Sequence, residues 1–141
     1  MDVALDGMVR CVEDLGDDRV NQRPELAGAN SPYVILHHCV QLTHWWVGAM
    51  CVGRAMHRDR DGEFVASGRV ADVRNEVAEL KAMLADHVPG IDVEAPVWYP
   101  DRLPEGSRAR TWTRGRCLLH TYEELAQHHG HMELTRDLLM V

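Results

Sequence analysis

The sequence predicts an all-α protein: an antiparallel four-helix bundle with a long loop before the last helix. Three observations carry this expectation. Four segments place apolar residues at helical intervals, no segment alternates polar and apolar residues as a strand would, and the helical segments carry start or stop signals. At 141 residues the chain reads as one domain, residues 1–141, with one core.

The first helix is expected over residues 2–16, where Leu5, Met8, Val9, Val12 and Leu15 recur on one face and Gly16 offers a stop. Pro24, Gly28 and Asn30 mark the following connection. Ser31 then supplies a hydroxyl cap and Pro32 a first helical residue for a second helix reaching about Met56. The charged stretch "HRDRDGEF" breaks the pattern. A third helix is expected from Ser67, with Val70, Val73, Val77, Leu80 and Leu84 on one stripe. Residues 88–112 hold four prolines together with Trp98, Tyr99 and Trp112, and read as a long loop of the kind that often carries function. Thr113 caps a fourth helix that runs to about Leu139.

Charge and composition narrow the function. A net charge of −7 weighs against general binding to a phosphate backbone, so no nucleic-acid partner is expected. No apolar run is long enough to span a bilayer, and "MDVALDGMVR" does not resemble a signal or transit peptide, so the expected location is the cytoplasm and no membrane partner is expected. Cys11, Cys39, Cys51 and Cys117 lack finger spacing and read as small core residues. The Arg-rich stretch "RLPEGSRARTWTRGR" reads as a mobile loop able to hold a small anion.

Three histidines fall within "QHHGHMEL" near the C-terminus, and three more in "HHCVQLTH" on the second helix. At about 100° per residue, His38 sits in the middle of the apolar face, with Val34, Ile35, Leu42, Trp45, Ala49 and Val52 within roughly 60° of it. His37 and His44 point to a polar flank. On the last helix His128 lies at the edge of the buried stripe, and His120, Glu124 and His128 form an i, i+4, i+8 ladder, while His129 points to solvent. A carboxylate and an imidazole buried together must be satisfied. They can hydrogen bond to each other, form an acid–base site, or share a metal. Glu124 and His128 are spaced to chelate one ion, and His38 on a facing helix is placed to complete a three-residue site with positions open for water or substrate. His131 and His120 stand as supporting or alternative ligands.

The stretches "SPYVILHHCVQLTHWW" and "LLHTYEELAQHHGHMELTRDLL" resemble the DinB-like (DinB/YfiT) superfamily of metal-binding four-helix bundles, near its mycothiol-dependent maleylpyruvate isomerase and S-transferase branch. The family's second helix carries a histidine, matched by His38, and an aromatic pair, matched by Trp45 and Trp46. Its last helix often reads HxxxH, one residue, then G-Q or G-H. Gly130 sets the register, so His128 matches the second histidine and Glu124 the first. This departure from histidine matches the His/Glu/His site of the maleylpyruvate isomerases, and His131 falls where many members carry glutamine.

The resemblance implies a divalent metal, zinc or nickel, on His38, Glu124 and His128, and a transferase or isomerase that activates a low-molecular-weight thiol such as mycothiol. His131 and His120 would then be the catalytic candidates. Arg108, Arg110 and Arg114 would grip a carboxylate of the thiol or of a small-molecule substrate. A homodimer is expected as in the family, with Leu119 and Leu134 facing outward. Two other functions compete: a non-catalytic metal- or ligand-binding stress-response bundle, and a metal-dependent hydrolase with His131 or His120 as base.

Overall fold

The computed structural model describes all residues of the chain, 1–141. It is all-helical, with five α-helices: α1 (Asp2–Arg19), α2 (Pro32–Thr43), α3 (Arg60–Glu63), α4 (Val70–His87) and α5 (Arg114–Met140). The only β pairing is an isolated bridge between Pro96 and Thr113. No helix is long and apolar enough to cross a membrane. The long helices α1 and α2 each pack against both α4 and α5.

Leu5, Met8, Cys11, Val12 and Leu15 on α1 are all buried. Gly16 takes a left-handed φ of 65° and breaks the helix where the sequence places its stop. One further turn follows, and Arg19 in it donates to the Leu139 carbonyl near the end of α5 at 2.9 Å. α2 starts as expected: the Ser31 hydroxyl accepts from the Val34 N–H, and Pro32 is the first helical residue.

Two elements depart from expectation. Beyond Thr43 the second helix continues as a π-helix, His44–Val52. Its i→i+5 bonds turn the chain less per residue, so the angular count that holds for Val34, Ile35 and Leu42 cannot be carried on to Trp45, Ala49 and Val52. α4 starts at Val70 rather than at Ser67. Asp17 from the end of α1 overrides the local serine: its carboxylate accepts from the Val70 N–H at 2.7 Å and from Arg69 Nε at 3.1 Å. Asp72 accepts from the Arg69 N–H at 2.9 Å. Helix start and interhelix contact are one interaction here.

The main core joins Leu5, Met8, Leu36, Leu80, Leu125 and Met132, which are fully buried. Each such side chain stabilises the fold by roughly 1.5–3 kcal/mol. A second cluster lies under the loop before α5, where Val97, Leu103 and Ala109 cover Ala49, Met50, Cys51 and Cys117. The Trp98 N–H donates to the Met50 carbonyl and the Tyr99 hydroxyl to the Gly53 carbonyl. Arg110 donates twice to the Leu103 carbonyl. These bonds do not fit a mobile loop: the segment is a packed cap with its own core.

Gly7 of α1 meets the ring of His129 of α5 so closely that a Cβ built there would lie 2.0 Å from Nε2. His129 therefore packs on α1 and does not point freely into solvent. Gly7→Ala should lower stability in urea unfolding by about 1 kcal/mol, and His129→Ala in the same chain should recover most of that loss. The Val70 N–H and Arg69 hold the Asp17 carboxyl below the usual carboxylate range. Its contribution to stability is therefore present above the unfolded pKa and lost as pH falls through the lower folded value. Asp17→Ala should lower the melting temperature at pH 7, and the gap to the parent should shrink below about pH 4.

Candidate functional site

α2 is apolar over most of its surface, so a histidine on its inner face must find a partner inside the protein. His38 is 7% exposed, and its Nδ1 lies 2.7 Å from Oε2 of Glu63 on α3. Glu63 is 2% exposed and also receives Arg58 through two bonds, Nε to Oε1 at 2.6 Å and Nη2 to Oε2 at 2.9 Å. Burial pushes the Glu63 carboxyl up, but Arg58 and His38 together pull it below the usual carboxylate range, so it is ionised at neutral pH. An ionised carboxylate only accepts, so Nδ1 of His38 carries the proton and donates. The other ring nitrogen, Nε2, is left with its lone pair when the ring is neutral.

The ring of His38 meets that of His128 on α5 edge-on, with centroids 5.1 Å apart, and Phe64 lies 5.3 Å from His38. Glu124 stands between its two helical neighbours, 3.8 Å from Nε2 of His128 and 3.9 Å from Nε2 of His120. These are ion-pair distances, too long for hydrogen bonds. Burial pushes the Cys39 thiol up, and the charge of Glu124 adds to that shift. Burial, then the facing His38, hold His128 below the ordinary imidazole value against the pull of Glu124. A neutral imidazole is the form that donates a lone pair to a metal.

His38 thus meets His128 across α2 and α5, and Glu124 flanks His128 on α5. As the side chains stand, no three His, Cys, Asp or Glu donors are gathered closely enough to hold an ion. The chemistry of the set fits one nonetheless. It comprises two imidazoles and a carboxylate, with one imidazole oriented by a buried carboxylate behind it, the arrangement that commonly supports a metal-bound histidine.

The remaining expected residues divide. His120 is packed edge-on against Trp46 and Trp112, at 5.0 and 5.1 Å. His131 is exposed, its ring 6.1 Å from that of His128. Arg110 is committed to the Leu103 carbonyl, and Arg114 donates to the Pro96 carbonyl and lies over Trp98. Arg108 is exposed and makes no side-chain bond, so the structure does not gather these three arginines at the histidines. His37 is also corrected: it is half-buried and bonds Glu76 of α4 at 2.7 Å, where a polar flank open to water was expected.

Glu63 and Arg58 were missed. They lie in the charged stretch after the second helix, and a four-residue helix has no periodicity to read. The available signal was Phe64, the single phenylalanine, directly after Glu63.

A family model described as Mycothiol-S-transferase matches residues 1–140. The chain belongs to the mycothiol-S-transferase family. No curated protein and no solved structure matches it. Membership of the mycothiol-S-transferase family agrees with the resemblance read in the two histidine-bearing helices.

The clamp on His38 makes a testable demand. Glu63→Ala leaves a half-buried guanidinium and a buried imidazole without their shared partner, and should lower stability in urea unfolding by about 3 kcal/mol. The milder Glu63→Gln, which keeps an acceptor for both partners, should retain the fold and cost less in the same measurement, about 1 kcal/mol.

Proposed function

We propose that this protein is a divalent-metal-dependent transferase or isomerase that uses a low-molecular-weight thiol, mycothiol, as nucleophile toward a small electrophile. On this reading its four long helices form the four-helix bundle of the DinB-like superfamily. The observation that carries the proposal is the meeting of His38 and His128 across α2 and α5 with Glu124 beside them, in a chain that the family model matches almost throughout.

His38, Glu124 and His128 would hold the ion, zinc or nickel by donor type. Bound there, such an ion lowers the pKa of a coordinating thiol and keeps it as thiolate. The chain's own residues supply the rest. Arg58 and Glu63 hold the His38 ring in one orientation and one tautomer. Phe64 covers His38 and limits water on that side. Glu124 brings a negative charge, so the site carries less positive charge than three histidines would give it. We assign movement of a proton at the thiol or at the product to His120, held between two tryptophans, and to His131, exposed beside His128. Leu119 and Leu134, 49% and 67% exposed on α5, are the surface we assign to a homodimer.

Metal analysis of untagged protein should find about one divalent ion per chain, lost in His38→Ala and in His128→Ala. Conjugation of mycothiol to monobromobimane should fall in both variants by about 100-fold or more relative to the parent rate above background. Full metal content in both variants, or full conjugation after the ion is removed by chelation, would contradict the proposal.

A further inference from the structure

An open cavity of about 410 Å³ lies against the clamp and is lined by Trp45, His57, Arg58, Arg60 and Arg102. It holds three arginines in a chain whose net charge is −7, and no carboxylate lines it. Arg58 is neutralised by Glu63. The other two are not neutralised. Arg60 makes no hydrogen bond or ion pair. Arg102 donates to the Met56 carbonyl and lies over the rings of Trp45 and Tyr99, at 5.0 and 5.6 Å. Asp59, Asp61 and Asp101 are close in sequence, but none pairs with these guanidinium groups, and Asp59 is engaged with the Gly62 N–H.

Two uncompensated guanidinium groups facing one cavity repel each other, and an anion between them would relieve that repulsion. Guanidinium binds planar carboxylates through paired hydrogen bonds, and Trp45 adds an apolar wall for the body of a ligand. Arg58 lines this cavity and also bonds Glu63, the carboxylate that holds His38, so the cavity is joined to the histidine site through that clamp. We propose that this cavity is the subsite for the carboxylate of an organic co-substrate with an apolar body, gripped by Arg60 and Arg102. The inference rests on the thiol-transferase reading for the role of that molecule as electrophile. The affinity of the cavity for a carboxylate does not.

The test is an equilibrium measurement without thiol, so failure of thiol transfer leaves it readable. Benzoate is titrated into the full-length protein and followed by tryptophan fluorescence and calorimetry, with benzamide as the uncharged isostere. Saturable benzoate binding is expected, with benzamide at least about tenfold weaker. Arg60→Gln and Arg102→Gln should each weaken benzoate by about tenfold, while Arg74→Gln, a charge change on α4, should leave it unchanged. Arg60 makes no structural bond, so its variant keeps the test valid if Arg102→Gln unfolds. Equal binding of benzoate and benzamide, or benzoate binding unchanged in Arg60→Gln, would overturn the assignment. So would binding that His128→Ala abolishes while both arginine variants retain it, because the carboxylate would then sit at the histidines.

Discussion

The interaction on which the rest depends is the carboxylate of Glu63, buried between the guanidinium of Arg58 and the imidazole of His38. Taking a carboxylate out of water costs several kcal/mol unless its oxygens are satisfied. Here both oxygens are: Oε1 accepts from Arg58, and Oε2 accepts from Arg58 and His38. The pairing explains how a helix of four residues persists between two long ones. It joins the connection after the second helix to the inner face of α2, and it engages Nδ1 of His38.

The remaining constraints act on α5. That helix carries Glu124 and His128 toward α2, and its outer turns are held in place by contacts with its neighbours. Gly7 gives His129 room on α1, and Arg19 reaches the Leu139 carbonyl. At the other end the π-helical segment sends Trp46 against His120, and the packed cap before α5 brings Trp112 to the same ring. The ladder of His120, Glu124 and His128 is thus bounded by aromatic rings at one end and faces His38 at the other.

Much of this was legible in the sequence because it is local. Apolar spacing located the four long helices, Ser31–Pro32 and Thr113 marked two starts, and Gly16 marked a break. Period alone also put His38 inward. What was not legible depends on contacts between elements. Ser67 offered a hydroxyl, but Asp17 from another helix capped α4 instead. His37 and His129 lie on flanks that a single-helix count leaves to water. In a packed helical protein those flanks meet other helices, and Glu76 and Gly7 receive them. Glu63 sits among charges that read as a solvated stretch, and only the fold reveals that Arg58 and His38 close around it. Of the arginines lining the cavity beside that clamp, Arg102 lies in the Arg-rich stretch visible in the sequence, whereas Arg58 and Arg60 lie in the charged stretch after the second helix.

The central claim is that Glu63 fixes His38 with a proton on Nδ1 and leaves Nε2 as the ring nitrogen that the clamp does not use. Long-range proton–nitrogen NMR on histidine-labelled, metal-free protein at neutral pH reads this directly. The account predicts that His38 carries a proton fixed on Nδ1. A ring protonated at Nε2 alone, or one exchanging freely between both tautomers, would contradict it.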